Sequence, residues 1–534
     1  MADLVKLKQQ RVSPQCRTAT ADECKKSQEF IPGHDLASRG FDITRLERSQ
    51  YNVFDFSEWK NQDGSCTLCE NPLLQGKPLQ RLPLAFTDWK ANISCQQKVQ
   101  HSIYHSAIFV AKVMTEFAVK NDWKKELDME VNPSANRQWA FAGSESKMTD
   151  FIKMKNTLDK YIFLLHHASC SYYKFRISKD KSVRKTFENN VQILPEKYEP
   201  SSKMKYHNLI ETYGTHFITE VDLGARVSYL TARPVCLMVL NGYNISEISI
   251  CLEIEVGIRI GFAEVTKSPD FQTCKKKKKD PSFYSLFIEQ MRIIEGGERS
   301  IFKDFSYPED SIEWLESVKS RPTLLSYSLE PLHTLFNGTD LRRESLRQAV
   351  SEYIRERTLW RNCTHSCPAG VQHSPWDTCS CECPNNNFTN SMCCSQQQGL
   401  ATLTVTIESA SSLWGDFITG SDSYVKVLFK DKLMCTHTVW NSDNPEWNAN
   451  FDFGIIQIQE DFSKLELQVW DQDFGWDDDL LGKCFPSLIP WDSTHRECHL
   501  NHGRLYYNYH LACGPHLGGR FCRDYITVWP KGEK

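Results

Sequence analysis

Apolar and polar residues alternate most regularly at Leu252, Ile254, Val256, Ile258 and Ile260, with Glu253, Glu255 and Arg259 between them. A period of two sends successive side chains to opposite faces, so this run predicts a strand, with 251–261 as its extent. Its length is close to the about 9–11 residues that a tilted strand needs to cross a bilayer, and a half-buried strand of a water-facing sheet carries the same pattern. Tyr173, Phe175 and Ile177 alternate likewise, as do Val425 and Val427. Apolar residues instead recur every three or four positions over 97–120 (Ile103, Ala107, Val110, Met114, Phe117) and 341–357 (Leu346, Ala349, Val350, Tyr353, Ile354). Both stretches predict amphipathic helices packed on a core.

The chain has 534 residues, enough for several domains, and a net charge of −4 that by itself names no partner. No run of eighteen apolar residues occurs, so no conventional transmembrane helix is expected. Twenty-one cysteines point to an oxidising compartment, and sequons at Asn92, Asn244, Asn337, Asn362 and Asn387 agree with secretion. Residues 1–10 are too charged for a signal peptide, so a signal already removed is one expectation. The odd cysteine count predicts a free thiol, with Cys435 as the candidate and a small buried hydrophobe as its expected state. Lys275 to Lys279 form a basic tract suited to a solvated loop or to anionic headgroups. Nucleic acid is disfavoured as a partner by the secreted chemistry around it.

Cysteines 363, 367, 379, 381, 383, 393 and 394 crowd a proline-containing stretch with few aliphatics. So small a segment must be stapled, and CxxC pairs suited to zinc are missing from it. Cys16, Cys24, Cys66 and Cys69 suggest a second stapled lobe near the N-terminus.

The candidate chemistry sits further on. Asp471, Asp473, Asp477, Asp478 and Asp479 surround Phe474 and Trp476. Carboxylates this close repel unless a hard cation neutralises them, and clustered oxygen ligands suit Ca²⁺. Aromatic rings at a loop tip find a favourable place at a membrane interface. Asp416 and Asp422, with Trp414 and Phe417 beside them, repeat the plan ahead of the strand at Val425.

The Asp-x5-Asp loop and the Asp471, Asp473, Asp479 loop followed by Leu480-Leu481-Gly482 resemble the calcium loops of a C2 domain. The cysteine-rich stretch resembles an EGF-like module, which implies pairs 363–379, 367–381 and 383–393 and leaves Cys394 to reach another domain. Tyr213-Gly214-Thr215-His216-Phe217 resembles the motif of the membrane-attack-complex/perforin (MACPF) family, and Gly296-Gly297 resembles its glycine pair at the bend of the central sheet. Cys66 to Asn71 and Asn501-His502-Gly503 also look like perforin segments, so the resemblance covers nearly the whole chain. Where relatives usually carry two glycines, this chain reads Leu223-Gly224-Ala225, which puts close strand approach there in question.

The resemblance implies an α+β fold. A MACPF domain (bent, twisted antiparallel sheet flanked by helical clusters) with the stapled lobe would occupy 1–360. An EGF-like module would follow at 361–398, an all-β C2 sandwich at 399–510 and a C-terminal extension at 511–534. The helical clusters are expected near 143–170 and 262–290, fed by strands at 171–178 and 251–261. By the same resemblance the C2 aspartates would hold Ca²⁺, the four aromatics would enter a phospholipid membrane, and a homo-oligomer, ring or arc, would turn the clusters into transmembrane β-hairpins. Gly296 and Gly297 would act as the hinge. The implied protein is secreted, stored in cytolytic granules and not an enzyme. His216 has no nucleophile or metal motif beside it and is expected to be buried and structural. The rivals are a calcium-dependent docking or adhesion protein that never perforates, and a calcium-activated lipid hydrolase, for which no nucleophile motif is present. Terminal complement components carry other cysteine-rich modules and no C2 domain.

Overall fold

The computed structural model describes residues 16–527 except 28, 97–98, 130–136, 179–182, 261, 278, 280–288, 299–307, 365, 368–370, 375–378, 416–418, 460–463, 474, 476–477 and 491–494. Its centre is an antiparallel sheet built on two long neighbours, Tyr161–Ile177 and His216–Pro234. Each is flanked by a strand broken in two. Phe86–Cys95 and Gln100–Tyr104 pair in turn with the first, while Thr323–Pro331 and Gln290–Glu295 pair with the second.

Both outer breaks fall at one level. Cys95 lies opposite Cys170 and is bonded to it, Cys170 lies opposite Ala225, and the chain leaves the sheet after Glu295 at Gly296 and Gly297, which have φ of +89° and +69°. A row of interrupted pairing lets the sheet bend there, because few ladder hydrogen bonds cross it. The Leu223-Gly224-Ala225 departure is accommodated at this row. A Cβ on Gly224 would come within 1.9 Å of the Cys170 carbonyl oxygen, so glycine is required at 224, whereas Ala225 is fully buried with its methyl in place.

Two excursions leave the same end of the sheet. Residues 105–160 join Tyr104 to Tyr161, and 235–289 join Pro234 to Gln290, each spanning about 55 residues. The first holds helices Ala107–Ala118 and Lys147–Asn156; the second holds Val235–Leu240, Ile245–Arg259 and Asp270–Lys277. This corrects four expectations. The predicted strand at 251–261 is instead helix as far as Arg259, and residue 261 lies outside the described residues. Helix Ile245–Arg259 is wedged between two cores, with Ile248, Cys251, Leu252 and Ile254 in one and Val256 with Ile260 in the other. Burial nearly all round the C-terminal half of this helix removes the one-sided stripe on which a period of 3.6 would show. The first cluster is centred earlier than 143–170, since Tyr161–Ile177 is already strand, and the second opens at 235. Ile103 belongs to strand Gln100–Tyr104 and is exposed.

Other expectations hold. Helix Leu341–Glu356, capped by Asp340, buries Leu346, Ala349, Val350, Tyr353 and Ile354. The Tyr213 motif ends helix Lys203–Tyr213 and opens the long strand. Its Gly214 has φ of +86°, Thr215 N–H donates to Phe41 O at 2.9 Å, and Ile43 N–H donates to Thr215 Oγ1 at 3.0 Å. His216 is fully buried, with Nε2 at 3.0 Å from the Trp123 carbonyl and Nδ1 at 2.7 Å from Thr215 Oγ1. A carbonyl only accepts, so Nε2 carries the proton and Nδ1 receives one from the Thr215 hydroxyl.

Burial holds His216 down at about 3 and His167 at about 4, both below the ordinary imidazole value. A depressed histidine pKa means the unfolded chain binds more protons below about pH 6.5. The stability these residues contribute is therefore complete above that pH and lost as pH falls towards 4. Melting at about pH 5 should lie below melting at pH 7.5, with roughly 2 kcal/mol lost per histidine. Thermal unfolding across this range checks it, and a flat profile contradicts it.

The disulfides 16–69 and 24–66 staple the N-terminal lobe, and 363–379, 367–381 and 383–393 staple the small module. His373 Nδ1 is 3.6 Å from Cys367 Sγ, but that sulfur is bonded to Cys381, so this trio is not a zinc site. Cys394 bonds Cys236, just after Pro234, and Lys160 Nζ donates to Met392 O at 2.7 Å. The small module thus grips the mouth from which both excursions leave. The Tyr525 hydroxyl adds a bond to Asp159 from the C-terminal segment.

Residues 400–513 form a sandwich of two four-stranded sheets, whose order is Glu446–Gln457, Leu400–Ser411, Arg504–Cys513, Arg496–His499 in one and Lys432–Cys435, Ser423–Phe429, Leu465–Asp471, Asp479–Cys484 in the other. Ser423–Phe429 and Leu465–Asp471 alternate buried and half-buried residues throughout. Cys435 is the free cysteine, as expected, but it is exposed rather than buried. It pairs with Lys426, an outward position of the alternation, on an edge strand.

Candidate calcium and membrane loops

Three loops meet at one end of the sandwich. They join Ser411 to Ser423, Cys435 to Glu446 and Asp471 to Asp479. The strand register sets Asp471 opposite both Ser423 and Asp479, which gathers the acidic ends of two loops on neighbouring strands. Asp471 is only 2% exposed, and its Oδ1 accepts from Asp422 N–H at 2.6 Å. Its Oδ2 faces Gly415, where a Cβ would come within 1.7 Å. The first loop is therefore laid against this carboxylate immediately before Asp416.

Asp422 is tied to Asp471 and Asp479 lies opposite Asp471, but among the described residues no three of these carboxylates converge within reach of one ion, and Asp416, Phe417, Phe474 and Trp476 lie outside the described residues. Trp414 is half exposed, with its ring 5.2 Å from that of His502. Asp478 braces the loop: its Oδ2 accepts from the Tyr424 hydroxyl at 2.8 Å and its Oδ1 from Asp473 N–H at 3.3 Å. The loop at 436–445 was missed altogether. Asp422 Oδ1 accepts from Asn441 N–H at 2.6 Å, and Ser421 N–H donates to Asp443 Oδ1 at 3.2 Å. The run Asn441-Ser442-Asp443-Asn444-Pro445, a cluster of turn formers, was the signal for it.

By chemistry the acidic residues of these loops are the kind of donors that a hard divalent cation takes. They offer carboxylate oxygens without thiolate or imidazole, held on strand ends with a glycine where a side chain would intrude. Gly415→Ala should therefore push the first loop off Asp471 and weaken calcium binding about tenfold with little loss of fold, as a calcium titration of the variant will show.

The MAC/Perforin domain matches residues 32–362, the Perforin-1-like EGF domain 362–396 and the C2 domain 401–501. Perforin-1 of Homo sapiens is 40% identical across 97% of this chain and 94% of its own length. The chain belongs to the MAC/perforin family. Within that family, Perforin-1 of Mus musculus is similar at 39% identity over the same shares of the two chains. Complement component C8 beta chain of Mus musculus is 24% identical over only 43% of this chain, so the likeness to MAC/perforin relatives of the complement type is narrower. The EGF-like and C2 matches place the chain with the perforins within the MAC/perforin family.

Proposed function

We propose that this chain is a secreted, calcium-dependent, pore-forming cytolytic protein. Its C2 loops dock on phospholipid, and its two excursions become transmembrane β-hairpins in a homo-oligomeric ring or arc. One observation carries the reading: each excursion connects two strands already placed side by side, at the same end of the sheet. Both can therefore continue the existing ladder into a hairpin without rethreading the chain. An extended limb of about 27 residues would reach about 90 Å, enough to approach a bilayer and cross it.

The alternation over Leu252 to Ile260 has its use in this second state. As helix it fills two cores; as strand it would turn Leu252, Ile254, Val256, Ile258 and Ile260 to one lipid-facing side. A lone hairpin would leave backbone groups unpaired in hydrocarbon, so only a closed set of hairpins is stable there and assembly must accompany insertion. Gly296 and Gly297, at the row of interrupted pairing, are the proposed hinge.

Bound Ca²⁺ would neutralise Asp416, Asp422, Asp471, Asp473 and Asp479 and so admit Trp414, Phe417, Phe474 and Trp476 to the lipid surface. Protons compete for the same carboxylates, so docking should weaken in acid, which suits storage in an acidic granule. Dye release and pelleting of liposomes, with and without Ca²⁺ from about pH 5 to pH 7.5, test the reading. Leakage that needs calcium and neutral pH is expected. Docking without leakage would favour an adhesion protein, and pH-independent docking would remove the proton competition.

A further inference from the structure

We propose that Trp440, on the loop between Lys432–Cys435 and Glu446–Gln457, is a further lipid-contact side chain that acts with the two acidic loops. The inference rests on the reading of those loops as a calcium-gated membrane contact. Trp440 is 61% exposed, more than Trp414 at 50%. Its ring has no aromatic, cationic or hydrogen-bonding partner among the described residues.

The backbone on either side is held firmly. Val439 and Ser423 exchange both backbone hydrogen bonds, at 2.9 and 3.0 Å, and Asn441 N–H donates to Asp422 Oδ1 at 2.6 Å. Asn441 takes φ of +52°, and its Oδ1 accepts from Gly420 N–H at 2.9 Å. A large indole is thus set one residue from a group bonded directly to a candidate calcium ligand, at the end of the sandwich that carries the acidic loops. Among the other exposed apolar side chains of the sandwich, Leu433 lies within strand Lys432–Cys435 towards its far end and Phe485 just past Cys484 at that far end, while Leu480, less exposed than Trp440, shares the acidic end.

A protein groove could also take an indole, but the charge around this one favours lipid. Asp422, Asp471, Asp473 and Asp479 would repel an apolar surface until a cation neutralises them, after which headgroups can approach and the amphipathic ring has its preferred depth. Trp440 then makes the docked surface three-sided, with at least one aromatic on each loop.

The test uses the full chain, liposomes of phosphatidylcholine with brominated acyl chains, and the variants Trp440→Ala and Trp440→Phe. With Ca²⁺ present, Trp440→Ala is expected to lower the liposome partition coefficient about tenfold and to reduce bromolipid quenching, whereas Trp440→Phe keeps most of the binding. Calcium affinity without lipid, read by calorimetry, should be unchanged in both. Wild-type partitioning by Trp440→Ala, or a parallel fall in its calcium affinity, overturns the inference. Failure of the wild type to pellet at any calcium concentration overturns the underlying reading of the acidic loops, and the inference with it.

Discussion

Asp471→Asn should reduce calcium-dependent docking on liposomes about 100-fold or more and reduce dye release further still. The substitution keeps shape and keeps an oxygen able to accept from Asp422 N–H, the 2.6 Å bond that ties the two acidic loops together. Charge is what it removes, at a site 2% exposed where no solvent substitutes for a lost ligand. Oxygen sites for Ca²⁺ set their affinity largely by the number of charged ligands, so a buried carboxylate common to both loops has the largest share. Release depends on several docked subunits and should fall more steeply than docking. An unchanged melting temperature would show that the fold is intact, while wild-type docking would remove Asp471 from the site.

Gly214→Ala should destabilise the sheet domain by about 3–5 kcal/mol or prevent its recovery in folded form. Gly214 has φ of +86° and ψ of −173°, a region open essentially only to glycine. An added Cβ would also lie 2.5 Å from the Phe41 carbonyl carbon and oxygen, which are backbone and cannot rotate away. Relief of that clash would break the Thr215 to Phe41 bond and carry away the hydroxyl that serves both Ile43 and His216. Gly242→Ala is the control, since φ is +70° there and nothing lies within 4 Å of the added methyl, so only about 1 kcal/mol should be lost. Urea unfolding midpoints of the two variants check the difference. Equal midpoints would mean that the motif glycine has no packing role.

Legibility followed the kind of signal. Leu346, Ala349, Val350, Tyr353 and Ile354 were readable because one face of their helix meets one core. The candidate calcium loops were readable because carboxylates at close spacing have few other uses, and the EGF-like cysteine pairs followed from family likeness. Helix Ile245–Arg259 was misread because its C-terminal half is buried nearly all round, against two cores, and its alternation fits two conformations. Cys435 was misplaced because parity on an edge strand depends on a register that no local pattern reports. The role of Asp478 as a brace depends on Tyr424, a partner on another strand.

The bond between Cys251 and Cys274 is a length gauge. It joins helices Ile245–Arg259 and Asp270–Lys277 across a sequence separation of 23. If this segment unfurls with the bond intact, the two sulfurs must face each other across the hairpin, and only the chain beyond them is free to form its tip. Folded in half, that tip has limbs of about ten residues and a tight turn, which is one bilayer crossing and no more. The covalent crosspiece would then act as a collar at the rim of the hydrocarbon. Lysines 275 to 279 follow it at once, where they would rest against the headgroups and mark how deep the tip can go.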